Sequence, residues 1–251
     1  MQNSPNKNAL IFGGASGIGG ATARIMIEQG ARVTIADVRR PSGWADEAAQ
    51  YVDCDVRDPE QVGNAVRCAA AQAPLDWLVY STGIQHYGSV VSTPVEEYDL
   101  VQSINSRGAF LACRAAIPEM RNGGAIVLVS SVQALATQKG VAAYAASKGT
   151  LEALMRAMAV DHAKDNIRVN SVLPGTVDTP MVRSSAARFG GTDGLEQTLQ
   201  QWGDSHPLGR VAHAEEIANL IAFLLSDKAS FITGASYRVD GGLLAQLAVR
   251  L

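Results

Sequence analysis

The chain has 251 residues, 47% of them hydrophobic and 18% charged, which suits a single soluble α/β domain with a substantial core. Its formal net charge of −3 argues against a surface for nucleic acid or anionic membrane, and no apolar run approaches the ~20 residues that a membrane helix needs. The N-terminal sequence MQNSPNKNAL has no apolar signal region, so we expect a cytoplasmic location.

Short apolar runs alternate with longer helical patterns along the chain. The first run, residues 8–14, predicts a strand, and residues 18–30 predict a helix that ends at Gly30. Six further runs predict strands at residues 31–38, 50–56, 75–82, 124–131, 167–175 and 235–242. Further helices are predicted at residues 58–72, 94–120, around Tyr144 and at 214–226. Because the strands are continuously apolar rather than alternating, they indicate a parallel sheet with helices on both faces.

A polar, glycine-rich segment at about residues 180–208 follows the sixth predicted strand. Its position directly after this strand favours a lid that covers a binding site. An irregular surface insertion is the alternative. Met181 and Trp202 within it are candidates for contact with a substrate. We therefore expect one domain over residues 1–251, with this segment as a substrate lid.

The sequence FGGASGIGG follows the first predicted strand and opens the first predicted helix. Gly13, Gly17 and Gly19 have G-x-x-x-G-x-G spacing, and residues without a Cβ let the backbone approach a phosphate closely. The helix start would point unpaired N–H groups at that anion, and Ser16 and Ile18 complete the predicted contacts. Such a turn alone also arises from tight packing, but its place in the first βα unit favours dinucleotide binding.

Asp37 ends the second predicted strand, where a carboxylate can accept hydrogen bonds from both hydroxyls of an adenosine ribose. Because it would repel a 2′-phosphate, it favours NAD over NADP. The two positions where a phosphate-binding base is expected hold Ser16 and Val38. Arg39 and Arg40 follow, and they indicate either a solvated turn or an alternative contact to a phosphate.

The order and spacing of several motifs resemble the short-chain dehydrogenase/reductase family over nearly the whole chain. These motifs are the glycine turn, Asp37, Asp55, Asn105, Ser131, Tyr144-x-x-x-Lys148, Pro174-Gly175 with Thr179, and ITGASYRVDGG near the end. The resemblance implies an α/β, Rossmann-type, doubly wound sheet of seven parallel strands in the order 3-2-1-4-5-6-7. It also implies an oxidoreductase that acts on CH–OH groups with NAD and assembles as a homotetramer.

The resemblance assigns roles to four candidate catalytic residues. Tyr144 would be the general acid/base, and Lys148, one helical turn on, would lower the pKa of Tyr144 and hold the nicotinamide ribose. Ser131 would bind the substrate oxygen while charge develops on it. Asn105 would hold a water that connects Lys148 to solvent. Taken singly, each of these residues is more typical of a helix cap or a helix surface.

The resemblance also implies a wider set of cofactor contacts. Asp55 would accept from the adenine amino group, with a turn or capping role as the alternative. The remaining expected contacts are Val56, Ser81, Thr82, Gly83, Pro174, Gly175, Val177 and Thr179. Two departures from the family pattern occur: Phe12 replaces a usual Thr, and Tyr80-Ser81-Thr82 replaces Asn-Asn-Ala. We expect altered support for the cofactor and an intact mechanism.

The substrate is predicted to be a secondary alcohol or its ketone. The polar residues Gln85, His86 and Gln133, with a similarity to bacterial sugar dehydrogenases, favour a sugar, sugar acid or polyol. The apolar residues in the lid segment favour the alternative, a hydroxysteroid or other hydrophobic alcohol. A regulatory protein that binds the dinucleotide without turnover is the alternative from another class, and the complete Tyr–Lys relay argues against it.

The three cysteines and four histidines show no metal-ligand spacing. We therefore expect free thiols and no catalytic metal. The apolar C-terminal sequence DGGLLAQLAVRL is expected to be buried at a subunit interface.

Overall fold

The computed structural model describes residues 6–43, 48–190 and 194–247. Within these residues, seven parallel strands form one sheet in the order β3-β2-β1-β4-β5-β6-β7. The strands are β1 (Asn8–Phe12), β2 (Arg32–Asp37), β3 (Gln50–Asp53), β4 (Trp77–Tyr80), β5 (Gly124–Val129), β6 (Ile167–Pro174) and β7 (Ser236–Val239). The predicted Rossmann-type sheet and its strand order are confirmed.

Helices connect the strands and cover both faces of the sheet. In the described part of the chain they are α1 (Gly17–Glu28), α2 (Pro59–Ala70), α3 (Val95–Gln102), α4 (Gly108–Ala116), α5 (Ala142–Asp161), α6 (Pro180–Gly190), α7 (Leu195–Asp204) and α8 (Ala214–Leu225). A π-helical turn, Ser103–Arg107, joins α3 to α4. None of the described helices combines the length and the apolarity needed to cross a bilayer.

The two faces of the sheet bury separate apolar clusters, because successive strand residues point to opposite faces. On β1, Leu10 and Phe12 pack into the cluster under α2, α4 and α5, whereas Ala9 and Ile11 pack into the cluster under α1 and α8. All four side chains are fully buried. This two-sided burial is the physical reason for the continuous apolar runs in the sequence.

The carboxyl ends of β1, β4, β5 and β6 lie side by side at one edge of the sheet. From β1 the chain proceeds outward to β2 and β3, then crosses back to β4 on the other side of β1. This reversal opens a crevice between the loops that follow β1 and β4, the usual ligand site of such sheets.

The structure corrects two expectations about helices. The predicted helix at residues 94–120 is not continuous, since the π-helical turn interrupts it at Ser103–Arg107. The segment at residues 180–208 is not irregular, because it forms α6 and α7. Its residues bury small and apolar side chains at helical spacing, including Ala186 on α6 and Leu199 on α7.

Candidate active site

A cavity of about 360 Å³ opens at the carboxyl edge of the sheet. Its walls come from the glycine turn after β1, the ends of β2 and β3, the loops after β4, β5 and β6, and the start of α6. The predicted site residues that line it are Gly13, Ser16, Gly17, Ile18, Asp37, Val38, Asp55, Val56, Ser81, Thr82, Gly83, Ser131, Tyr144, Lys148, Pro174, Gly175, Val177, Thr179 and Met181. The fold therefore brings together residues that are up to 168 positions apart, from Gly13 to Met181.

The glycine turn is shaped by positions that exclude a side chain. Gly13 has a φ of +78°, and a Cβ there would lie 2.6 Å from the backbone nitrogen of Thr82. A Cβ on Gly19 would collide with the carbonyl oxygen of Gly13. The hydroxyl of Ser16 caps none of the described N–H groups at the start of α1. These N–H groups are thus available to an anion, which fits the phosphates of a dinucleotide.

Asp37 lies at the end of β2, beside the glycine turn. Its carboxylate accepts hydrogen bonds from the backbone N–H of Ala15 at 3.1 Å and of Arg39 at 3.0 Å. These bonds fix the carboxylate at the cavity wall, and each oxygen keeps further capacity to accept from a ribose hydroxyl. Val38 is 61% exposed and offers no charge at the next position.

Asp55 lies at the cavity wall but is already paired. Arg57 binds its carboxylate through Nε, at 3.0 and 2.9 Å, and through Nη2 at 2.5 Å. This guanidinium, which donates hydrogen bonds to it, lowers the pKa of the Asp55 carboxyl. A contact with adenine, as expected from the sequence, would share the carboxylate with Arg57.

Tyr144 is buried on the first turn of α5, with 8% of its surface exposed. Burial raises the pKa of its phenol to about 12, although a hydrogen bond with Ser131 acts in the opposite direction. The sequence led us to expect a lowered pKa. In the protein alone that expectation is wrong, because the loss of water disfavours the phenolate more than Ser131 stabilises it.

Lys148 lies one turn further along α5 and is also buried. Its Nζ donates to the carbonyl oxygen of Val129 at 2.9 Å and lies 5.4 Å from the centre of the Tyr144 ring. Burial lowers the pKa of Lys148 to about 8, and the charge of Glu152 opposes this shift. Lys148 therefore carries a positive charge at neutral pH, beside the tyrosine.

Asn105 is fully buried in the π-helical turn behind the cavity wall. Its Oδ1 accepts from the N–H of Ile84 at 2.9 Å, and its Nδ2 donates to the carbonyl of Ile84 and to Oγ of Ser147, both at 2.9 Å. A Cβ on Gly83 would lie 3.5 Å from both Asn105 Oδ1 and Lys148 Nζ. Asn105 and Lys148 therefore flank the same backbone position.

The departure at the end of β4 has a structural explanation. Tyr80, where the family usually has Asn, is fully buried, and its hydroxyl donates to the carbonyl of Ile104 at 2.5 Å. Ile104 directly precedes Asn105 in the π-helical turn, so Tyr80 supports the segment that carries Asn105. The neighbouring Thr82 has a buried hydroxyl that bonds to no described residue, and it lines the cavity.

The candidate substrate residues divide into two groups. Ser131 and Met181 line the cavity with Tyr144, whereas His86, Gln133 and Trp202 are not among the described residues of its wall. Nδ1 of His86 instead pairs with Glu97 at 3.1 Å. The Oε1 of Gln133 accepts from the hydroxyl of Thr137, and Trp202 contacts Phe189.

Two features near the cavity were missed in the sequence. The Tyr87 ring packs edge to face on Phe189 of α6, with 4.8 Å between ring centres, and Tyr87 acts electrostatically on Tyr144. His206 is buried after α7, where its Nδ1 donates to the carbonyl of Trp202 and its Nε2 accepts from the N–H of Thr176. The Tyr87–Phe189 and His206–Thr176 contacts join segments that are distant in the chain, so no local pattern could have predicted them.

The sequence matches a known family model and is similar to several known proteins. A family model described as enoyl-(acyl carrier protein) reductase matches residues 13–244. The chain is 39% identical to trans-4-hydroxycyclohexanecarboxylate dehydrogenase of Sinomonas cyclohexanicum, over 94% of this chain and 92% of that protein. It is 35% identical to the 3-alpha-(or 20-beta)-hydroxysteroid dehydrogenase of Mycobacterium tuberculosis, over 96% of this chain and 91% of that protein.

Among solved structures, the ligand-free aldohexose dehydrogenase of Thermoplasma acidophilum is similar over the whole chain. The TM-score is 0.95 at 33% sequence identity, and the match covers 100% of this chain and 99% of that structure. Levodione reductase has a TM-score of 0.90 at 31% identity, with 97% and 99% covered. Extensive similarity thus links the chain to proteins named as dehydrogenases and reductases.

Proposed function

The chain belongs to the short-chain dehydrogenase/reductase family of alcohol–ketone oxidoreductases, and on that premise we propose a NAD-dependent dehydrogenase of ring-borne secondary alcohols. The observation that carries the proposal is the meeting of Tyr144, Ser131 and Lys148 at one wall of a cavity that begins at the glycine turn. These residues supply an acid, a hydrogen-bond donor and a positive charge at a single place.

The reaction needs a hydride acceptor and a proton acceptor. Bound NAD supplies the hydride chemistry at its nicotinamide ring. In alcohol oxidation, Tyr144 takes the proton of the substrate hydroxyl, and the hydroxyl of Ser131 holds the same oxygen through the reaction. The positive charge of Lys148 stabilises the phenolate that Tyr144 must form. Since burial is the main cause that raises the Tyr144 pKa to about 12, additional positive charge from the oxidised cofactor would favour proton transfer.

The remaining site residues would position the catalytic groups and bind the cofactor. Asn105 fixes Ile84 and Ser147, and we assign it a water that passes the proton from Lys148 toward solvent. Asp37 would accept the adenosine ribose hydroxyls and disfavour NADP by charge repulsion. The N–H groups at the start of α1 would receive the phosphates.

The substrate class rests on the relatives and on the cavity wall. The names of three relatives specify a hydroxylated cyclohexane, a hydroxysteroid and an aldohexose, and each of these compounds contains or forms a ring. Met181 and Val182 give the cavity an apolar side at the start of α6. Because His86 and Gln133 lie outside the described cavity wall, the polar argument for a sugar loses support, and a carbocyclic alcohol is favoured. We propose that α6 and α7 form the lid.

Two expectations about the molecule as a whole belong to the proposal. Large apolar side chains are exposed on α3, α4 and α5, among them Tyr98 at 42%, Phe110 at 49% and Val160 at 77%. Such exposure supports the homotetramer implied by the family resemblance. The expected interface role of the apolar C-terminus concerns in part residues 248–251, which lie outside the described residues.

The test is reduction of NAD and NADP with 4-hydroxycyclohexanecarboxylate, a hydroxysteroid and an aldohexose, followed by absorbance of the reduced nicotinamide. We expect turnover of a ring alcohol with NAD preferred, and a loss of kcat by at least ~100-fold in Tyr144→Phe. Asp37→Ala should reduce the ratio of kcat/KM with NAD to kcat/KM with NADP. Full activity of Tyr144→Phe would contradict the mechanism, and dinucleotide binding without turnover of any ring alcohol would favour the regulatory alternative.

A further inference from the structure

A second buried charge follows the catalytic pair on α5. Tyr144, Lys148 and Glu152 succeed one another at intervals of four residues, so they lie along one face of the helix. Glu152 and Lys148 are each only 5% exposed. A carboxylate is costly to bury without compensation, and the mechanism described above makes no use of this one.

Two hydroxyls of the sheet hold the carboxylate of Glu152. Ser171 of β6 and Ser236 of β7 are directly paired in the sheet, and both hydroxyls donate to Oε2 of Glu152, the former at 3.0 Å. Two donors on one oxygen fix the position of this carboxylate against the sheet. The other oxygen, Oε1, is buried and accepts a hydrogen bond from no described residue.

Two cations lie four residues from Glu152 on α5, Lys148 and Arg156, and Lys148 is the buried one. On β6, Arg168 donates to the carbonyls of Leu224, Leu225 and Ser226, which directs its charge toward the end of α8. Arg238 of β7 is exposed to solvent, as is Arg156 on α5 itself. Solvent screens exposed charges strongly and buried ones weakly.

The groups through which α3 and the π-helical turn bond to α5 are uncharged. Gln102 of α3 donates to the carbonyl of Ala143, and Asn105 and Ser106 of the π-helical turn bond to Ser147. The short turn Val132–Ala134 at the start of α5 carries no titratable side chain. Glu152 is the buried carboxylate on the same helix face as Lys148, and it raises the Lys148 pKa that burial lowers.

We propose that Glu152 is a positioning residue for the dehydrogenase reaction, whose buried carboxylate keeps Lys148 in its ammonium form beside Tyr144. The inference rests on the proposed role of Lys148 in catalysis. The paired serines hold the carboxylate at the sheet.

The direct test is a titration of Lys148 in the cofactor-free protein. Labelling with ¹³C-lysine gives an NMR signal for its ε-carbon, which Lys148→Met identifies by its loss. We expect Glu152→Gln to shift the Lys148 pKa downward from about 8 by about one unit. Glu152→Met, also neutral and of similar length, needs no hydrogen-bond partner and serves if the amide variant does not fold.

The second readout is the pH profile of kcat/KM for alcohol oxidation. If Lys148 must be charged, the alkaline limit of activity should move to lower pH in Glu152→Gln by the same amount as the NMR titration. The matched control is Ser171→Ala, which removes one hydrogen bond to Glu152 and keeps its charge. We expect this variant to lose stability without displacing the alkaline limit.

The Lys148 pKa values of wild type and the variants decide whether the charge of Glu152 acts on Lys148. A Lys148 pKa that is the same in wild type and in both neutral variants overturns the proposal, and so does a shift of equal size in Ser171→Ala. A Lys148 pKa that falls only in the neutral variants supports it. The titration is made without substrate or cofactor, so a protein that turns over none of the ring alcohols would refute the proposed function and leave this result standing.

Discussion

At the scale of single residues, the site combines groups whose burial opposes the charge they need. Tyr144 has its pKa raised to about 12 and Lys148 has its pKa lowered to about 8, in both cases mainly by burial. Each shift measures a cost that folding must overcome. Part of this cost is offset by hydrogen bonds at the sheet edge, between Lys148 and Val129 and between Tyr144 and Ser131.

Lys148→Met should therefore stabilise the protein relative to wild type more at pH 7 than at pH 10. The pKa of Lys148 falls from 10.5 to about 8 on folding, so its destabilising effect is fully present below pH 8 and fades as the pH rises to 10.5. We expect the difference in unfolding free energy, Lys148→Met minus wild type, to be larger at pH 7 by roughly 2 kcal/mol. Urea unfolding of both proteins at the two pH values measures it.

Lys148 is an ammonium at pH 7 and mainly an amine at pH 10, so the loss of its hydrogen bond to Val129 contributes unequally at the two pH values and is part of the measured difference. If the difference in unfolding free energy between Lys148→Met and wild type is the same at pH 7 and at pH 10, the pKa of Lys148 is not depressed in the folded protein. The same four measurements with Lys164→Met, a change at a lysine exposed to solvent, provide the control.

At the scale of elements, the π-helical turn between α3 and α4 determines where Asn105 lies. A π-helical turn inserts one residue into the helical pattern and frees a backbone carbonyl from it, and such turns are frequent at functional sites. Here the hydroxyl of Tyr80 reaches the carbonyl of Ile104 across the gap between β4 and the turn. Tyr80 thereby ties the end of β4 to the turn that carries Asn105.

Tyr80→Phe should disturb both stability and catalysis. Removal of the hydroxyl takes one hydrogen bond from the half-buried Ile104 carbonyl, which costs about 0.5–1.5 kcal/mol. The adjacent Asn105 should lose its alignment with Lys148, and we expect kcat to fall roughly tenfold or more while the KM for NAD changes little. Urea unfolding and steady-state kinetics measure the two effects.

Tyr98→Phe on α3, 42% exposed, is the matched control, because it removes a phenol hydroxyl away from the π-helical turn. Its stability and kcat should equal those of wild type. A Tyr80→Phe enzyme with unchanged kcat would show that the turn holds Asn105 without help from Tyr80.

At the scale of the whole molecule, the exposed apolar residues of α3, α4 and α5 predict association of subunits. Phe110→Glu places a charge on the exposed face of α4 and should reduce the assembled state, because a buried unpaired carboxylate is unfavourable at an interface. Light scattering after size exclusion measures the mass, with the 26.4 kDa chain as the unit. Phe189→Glu on α6 is the control, as its ring belongs to the proposed lid. A wild-type mass of one chain would contradict the tetramer.

Much of the architecture could be predicted from the sequence because its causes are local. Continuous apolar runs on β1, β4 and β5 indicate strands buried on two faces, and the Gly13–Gly19 turn places a helix start directly after β1. The parallel order of the strands then brings Ser131 and Tyr144 to the same edge. For the same reason, most of the predicted cofactor residues line one cavity.

The remainder depends on contacts between segments far apart in the chain. The sequence by itself determined the fold through its apolar periodicity, and its resemblance to the family implied the reaction class and pointed to Tyr144, Lys148 and Ser131. Only the tertiary structure decided that His86 and Gln133 lie outside the described cavity wall, that Tyr80 supports the turn of Asn105, and that Glu152 lies buried behind Lys148. Burial, pKa and side-chain direction arise when helices pack on the sheet, and no short stretch of sequence specifies that packing.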